Sequence, residues 1–211
     1  KVDRKAWDQS YQSAIQTVMN TESDYEYYRE LQKFCALLGD GHTNVYLPQS
    51  IDTLIYISDF GEYRLFLENV DGQAIIVRVN KSKKDVLPVG SRILEVNRIP
   101  VWDYIDRYVA PYIGSSTDYV LKDLAVMRLL EGPVGETYSI KIMKPDGSTA
   151  TFDLKHERSN EKEIYPPQEP VKLMDFKMYD QIVYVALNSF RSNSLDSLFA
   201  GILPQLKRAK G

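Results

Sequence analysis

Apolar residues recur at helical spacing from the start of the chain. Trp7, Tyr11, Ala14, Ile15 and Val18 fall on one stripe of residues 4–19, as an amphipathic helix requires. Ser23-Asp24-Tyr25-Glu26 reads as a second helix start, with Ser three residues before Glu. Tyr27, Tyr28, Leu31, Phe34, Cys35 and Leu38 form the stripe behind it, and Gly39 stands where a left-handed residue ends a helix. The pattern predicts a helical pair over 1–39, with the Cys35 thiol buried on its apolar stripe. Residues 40–50 read as a loop holding His42 and Pro48, and 51–58 as a short strand.

From Tyr63 the period changes to alternation. Tyr63 to Val70 and Gln73 to Asn80 read as strands joined by the hairpin dipeptide Asp71-Gly72. The basic turn Lys81-Ser82-Lys83-Lys84 follows, either as a solvated loop or as a contact for an acidic ligand group. Gly90 turns the chain into a strand that ends at Asn97, and Arg98-Ile99-Pro100 leads out of it. A short helix is expected over 101–109. A longer one is expected over 117–131, where Leu121, Leu124, Ala125 and Leu129 keep helical spacing. Gly132-Pro133-Val134-Gly135 breaks it, and strands over 136–143 and 148–155 close on Pro145-Asp146-Gly147.

Residues 156–172 are polar and contain Pro166, Pro167 and Pro170, the composition of a linker. His156 beside it reads as exposed and without a role. Beyond the linker, 181–187 is a buried-strand pattern and 192–207 a helix that Pro204 should kink or end. A strand followed by a helix begins an α/β unit, and its parallel neighbour needs a complete crossover. The strand over 182–187 is therefore expected to be covered by the rest of the chain or to pair between chains, a route to self-association.

Composition narrows the function classes. The 211 residues carry 26 Lys plus Arg against 29 Asp plus Glu, a net charge of −3, without the basic excess of a nucleic-acid binder. At 44% apolar and 26% charged the chain is globular in character, and no apolar run reaches the length of a membrane span. A single Cys35 excludes an internal disulfide, and two histidines, His42 and His156, make no multi-histidine metal site. No metal and no cofactor is expected. Tyrosine, at 15 residues, is about twice ordinary usage and is read as packing and surface character. The chain opens at Lys1 without Met and closes at Lys207-Arg208-Ala209-Lys210-Gly211, directly after a helical pattern, so a piece of a longer protein is expected.

Four stretches carry a resemblance. Leu37-Leu38-Gly39-Asp40-Gly41-His42-Thr43-Asn44-Val45 resembles the Asp-Gly-His-Thr segment of the C-terminal-processing and tricorn-like serine peptidase family. Val89-Gly90-Ser91-Arg92-Ile93-Leu94-Glu95-Val96-Asn97 resembles the Gly-Asp-x-Ile-x-x-Val-Asn-Gly signature of PDZ domains, with Ser91 in place of its Asp and Arg98 in place of its last Gly. Gly132-Pro133-Val134-Gly135-Glu136-Thr137-Tyr138 resembles the Gly-Pro-x-Gly-Thr segment of a later PDZ strand, and Tyr184-Val185-Ala186-Leu187-Asn188-Ser189-Phe190 the strand that begins the catalytic core. In this order they imply an α+β fold in four parts. Residues 1–60 are an N-terminal helical segment with the Asp-Gly-His-Thr loop. Residues 61–157 are a PDZ-like β-sandwich or barrel with a helical insertion, and 158–175 a linker. Residues 176–211 are the first strand and helix of an α/β protease core, an incomplete stub.

Peptide hydrolysis by serine needs a nucleophile, a base and oxyanion donors. In the tricorn-like branch the base is a histidine of the N-terminal helical segment; in the C-terminal-processing branch it is a lysine of the core. The resemblance thus makes His42 the catalytic base, with Asp40 and Thr43 as orienting or supporting residues. Gly41 stands where some members place a hydroxyl residue. From the pattern alone, a histidine after a helix C-terminus reads equally as a cap on loop carbonyls. Ser189 and Ser192 fall at the edge of the first core strand, outside a nucleophile setting. The resemblance therefore implies a serine endopeptidase parent that acts on proteins or peptides, and a 211-residue chain without its nucleophile. The alternative is a peptide-binding or regulatory PDZ-like module, or a peptidase relative without its serine. Members of the family are often exported, which implies an extracytoplasmic site: periplasmic, cell-surface or secreted.

Overall fold

The computed structural model describes residues 3–168, 171–190 and 193–210, so Pro170 and Ser192 lie outside the described residues. Two compact units part between Pro167 and Gln168. The first opens with helices α1 (Arg4–Val18) and α2 (Asp24–Ala36). Asp3 caps α1 by accepting from the Ala6 amide at 3.0 Å. Ser23 caps α2 by accepting from the Glu26 amide at 3.2 Å, while the Glu26 carboxylate reaches back to the Glu22 amide at 2.8 Å. The reciprocal bond of the capping box thus lands one residue before the cap. Trp7 and Tyr11 meet Phe34 with ring centroids 4.4 and 6.1 Å apart. Cys35, expected in a buried core, is only half-buried. A pair of helices closes a seam rather than a whole apolar stripe.

The strand expected over 51–58 is instead one helical turn, α3 (Gln49–Asp52), followed by β1 (Ile55–Tyr56). Pro48 begins the turn, because its fixed φ suits a helix start and its carbonyl accepts from the Ile51 and Asp52 amides at 2.9 Å each.

Next come β2 (Asp59–Phe60), β3 (Tyr63–Val70), β4 (Gln73–Asn80), β5 (Arg92–Val96), β6 (Ile99–Pro100) and α4 (Val101–Tyr108). They are followed by α5 (Asp118–Met127), β7 (Gly132–Pro133), β8 (Thr137–Met143), β9 (Thr149–Lys155) and β10 (Ile164–Tyr165). The main sheet runs β2-β3-β4-β5-β8-β9, with β6 on β5 and β10 on β4, and β1 pairs β7 separately. All of these strand pairs are antiparallel. The β3–β4 hairpin turns at Asp71 and Gly72, both left-handed with φ 50° and 75°, as the dipeptide predicts.

Leu65, Leu67, Ile76, Ile93, Ile140 and Ile142 are buried on these strands, with Ile105 of α4 and Ala125 of α5 in the same core. Helix α5 stops at Met127, short of the expected 131. Beyond it the backbone tightens into three-residue turns, the Leu129 amide donating to the Val126 carbonyl at 3.2 Å and the Glu131 amide to the Arg128 carbonyl at 3.0 Å, and Leu129 and Leu130 are both buried.

His156, expected exposed, is fully buried at 0%. Its ring stacks on Phe60 with centroids 4.5 Å apart. Nδ1 lies 3.0 Å from the Asp59 carbonyl and Nε2 lies 2.6 Å from the Leu130 carbonyl. The end of β9 is thereby tied to β2 and to the chain after α5.

The predicted linker is docked along its first part. The Gly61 amide donates to the Glu157 carbonyl at 2.7 Å, and Ile164 pairs with Asn80 in the β10–β4 ladder. The basic turn beside it meets acids of the same chain: Lys81 on Glu163 at 2.6 Å, Ser82 Oγ on Glu161 at 2.5 Å, and Lys83 on Glu62. Lys84 lies over the Tyr165 ring. The turn is therefore matched internally, which corrects its reading as a contact for an outside acidic group.

The second unit holds β11 (Met174–Tyr179), β12 (Ile182–Leu187) and α6 (Leu195–Leu206). β11, missed in the sequence, pairs antiparallel with β12 along its length. The strand expected to need a neighbour thus has one on one edge from its own chain. Pro204 does not end α6, which runs two residues further, and the Lys207 amide donates to the Leu203 carbonyl at 3.0 Å. Among the described residues, no helix is long and apolar enough to cross a membrane. No group of three side chains among them is placed to hold a metal.

Candidate functional site

The three candidate residues share the loop that follows α2. Gly39 enters it with φ 60°, and the carboxylate of Asp40 is its centre. Asp40 Oδ1 accepts from the His42 amide at 3.1 Å, and Oδ2 accepts from Thr43 Oγ1 at 2.6 Å, closing an Asx turn. His42 Nδ1 lies 3.5 Å from Asp40 Oδ1. The bond from Thr43, then that from the His42 amide, holds the Asp40 carboxyl below its ordinary range, because both favour the ionised form. The His42 side chain is 98% exposed. Among the described residues no loop carbonyl engages its ring, so the capping role open to it in the sequence is not the one it plays.

The loop is anchored by distant residues that sequence reasoning missed. The Gly41 amide donates to Ser116 Oγ at 3.2 Å, and Gln32 Nε2 donates to the Val45 carbonyl at 3.0 Å. Asn44 Nδ2 closes the loop on the Gly41 carbonyl at 2.8 Å. Gly114 leaves room for this backbone: a Cβ there would stand 2.8 Å from the Asp40 carbonyl oxygen and 3.3 Å from that of Thr43. Both contacts are with main chain, which yields only if the loop moves. Gly114→Ala is expected to shift the amide resonances of residues 40–44 and to cost about 1–3 kcal/mol. Unchanged loop resonances would show that the backbone has slack there. The run Gly114-Ser115-Ser116 signals a turn but carries no sign of what packs on it.

Thr43 and Asn44 also line a cleft of about 430 Å³ together with Tyr112, Gly114, Arg128 and Glu131, within the size range of ligand sites. Arg128 forks onto Glu131 at 2.5 and 3.2 Å. Arg29 of α2 lies 3.8 Å from the same carboxylate and 3.7 Å above the Tyr112 ring. The helical pair is thus fastened to the sheet-bearing body by one guanidinium that meets both a charge and a ring face. His156 is engaged elsewhere, in the core, and takes no part in this loop.

No protein-family model matches the chain, and no curated protein matches it. Among solved structures it is similar to mature CPAF complexed with lactacystin, at 22% identity and a TM-score of 0.47, over 70% of this chain and 28% of that one. It is similar to a CPAF mutant at 22% identity and a TM-score of 0.49, over 70% and 27% of the two chains. The photosystem II D1 C-terminal processing protease is similar at 15% identity and a TM-score of 0.32, over 97% and 53%. The chain spans under a third of the CPAF chains and about half of the D1 processing protease.

Proposed function

We propose that the chain is the N-terminal and PDZ-like part of a serine endopeptidase of the C-terminal-processing and tricorn-like kind, with His42 as its general base. The observation that carries this reading is the Asp40–His42–Thr43 arrangement, in which a carboxylate fixed by two hydrogen bonds stands beside one ring nitrogen. With its proton on Nδ1 towards Asp40, the ring offers the Nε2 lone pair to a serine hydroxyl. As Nε2 takes that proton the ring becomes cationic, and Asp40 stabilises it. The 3.5 Å separation is long for a hydrogen bond and is of the kind that tightens when substrate binds. Thr43 holds the carboxylate in place. The nucleophile and oxyanion donors come from sequence other than these 211 residues, the substrate is a protein or peptide, and the protein works outside the cytoplasm.

A fluorophosphonate probe of reactive serines tests this. The expected result is labelling of a longer protein that contains the chain, and none of the 211-residue chain itself. His42→Ala is expected to slow labelling of the longer protein on the order of 10³-fold or more, with thermal unfolding unchanged because the ring is exposed. Wild-type labelling in that variant would put the base elsewhere.

A second reading, a peptide-binding module without chemistry, draws on the outer edge of β3. Past Leu65 that edge has no strand partner among the described residues. Strand addition uses such an edge. The Asn69 Nδ2 bond to Asp123 Oδ1, at 2.8 Å, spans from the strand to α5 beside it. Absence of labelling in the longer protein favours this second reading.

A further inference from the structure

Five of the 15 tyrosines line one cavity. A cavity of about 280 Å³ is lined by Tyr25 of α2, Tyr104 and Tyr108 of α4, Tyr112, Tyr138 of β8, and Glu136. One end of it already shows how this chain handles a positive charge, because the Arg29 guanidinium covers the Tyr112 ring and pairs with Glu131. A second carboxylate, Glu136, lines the same cavity with Tyr104, Tyr108 and Tyr138, and it is hydrogen-bonded to the Tyr138 hydroxyl. Glu136 forms no ion pair among the described residues. The Tyr104 and Tyr108 rings lie 5.0 Å apart.

Gly132 makes the approach possible, since a Cβ there would collide with both the Glu136 carboxylate and the Tyr138 hydroxyl. Burial first, and then the Glu136 charge for Tyr104 and Tyr138, raises these phenols. Tyr104 is pushed up to about 12, and Tyr25 and Tyr138 are raised as well. The rings therefore stay neutral at physiological pH.

We propose that this cavity binds an organic cation, an alkylammonium group set against the tyrosine rings with Glu136 as its counter-ion. Ring faces attract such cations through their quadrupole. The charge balance agrees: Glu26, Glu30, Glu131 and Glu136 line the cavity against Arg29 and Arg128 alone. A bare metal ion fits less well, because aromatic walls supply no ligands and no cluster of three donors is present among the described residues. The cavity is small enough to select a single head group. An alkylammonium reaches it either as a free amine or as the side chain of a lysine in a peptide.

The test titrates the chain with n-butylammonium, with tetramethylammonium and with a glycine-flanked lysine peptide, followed by NMR of the tyrosine rings. Sodium chloride at equal ionic strength is the control. Saturable shifts are expected with the ammonium probes and not with sodium, and at least tenfold weaker binding in Glu136→Gln. Glu136 is exposed, so this variant should fold; Tyr104→Leu, at least threefold weaker, is the second. Tighter binding of the peptide than of butylammonium identifies a chain-borne lysine as the ligand, and equal or weaker binding a free amine. Non-saturating shifts, or binding that Glu136→Gln leaves unchanged, would overturn the proposal.

Discussion

Replacing His156 with leucine is expected to destabilise the first unit by about 2–4 kcal/mol, because a buried acceptor left without its donor costs roughly 1–3 kcal/mol and the stack of the ring on Phe60 is lost as well. Leucine fills much of the space of the ring, so the loss isolates hydrogen bonding from cavity formation. The carbonyls of Asp59 and Leu130 both lose the ring nitrogen that faces them in a site with 0% exposure. For a domain of this size the loss corresponds to a fall in Tm of roughly 5–15 °C, read by circular dichroism. His156→Gln, able to serve one carbonyl, should fall between. A leucine variant as stable as the parent would mean that the two carbonyls find other donors.

Asn80→Ala is the second large effect, expected at about 2–4 kcal/mol from the same cost of orphaned groups. Asn80 is also 0% exposed. Its Oδ1 accepts from the Arg64 amide, and its Nδ2 donates to the Glu62 carbonyl at 3.2 Å and reaches Ser159 Oγ at 3.5 Å. One amide thus clasps the start of β3, the end of β4 and the polar stretch that follows β9. Loss of the clasp should also speed tryptic cleavage at Arg158 and Lys162, which lie on that stretch. Asn80→Asp keeps the acceptor but turns a carboxylate oxygen towards the Glu62 carbonyl in a buried site, so it should be destabilised at least as much. Unaltered cleavage and stability in Asn80→Ala would show that the β10 pairing alone holds the stretch down.

Local signals explain what the sequence reveals. The alternation of 63–70 and 73–80 and the Asp71-Gly72 turn specify their hairpin to the residue, because period and turn must agree. Asp40, His42 and Thr43 are two and three residues apart, so their meeting is a matter of one turn. Burial of His156 depends instead on carbonyls at positions 59 and 130, and nothing beside it in the chain announces them. β11 alternates Met174, Phe176 and Met178 with polar neighbours, yet the prolines just before it make the region read as a linker. The Cys35 stripe tells which face of α2 is apolar and not what covers it. Gly114 and Ser116 reach the His42 loop across more than seventy residues. The tyrosine cavity gathers positions from 25 to 138, so composition registers the excess without its location.

Arg128, Glu131 and Tyr112 line both the cleft beside the His42 loop and the tyrosine-walled cavity. A side chain that lines both compartments and moves for one occupant moves for the other as well. An occupant on one side that draws Glu131 towards itself changes the affinity on the other. Thermodynamic linkage requires the second occupant to return the same factor to the first. An occupant of the cleft that leaves Glu131 in place is no effector of the cavity, and one that moves it is an effector to the degree that it does so.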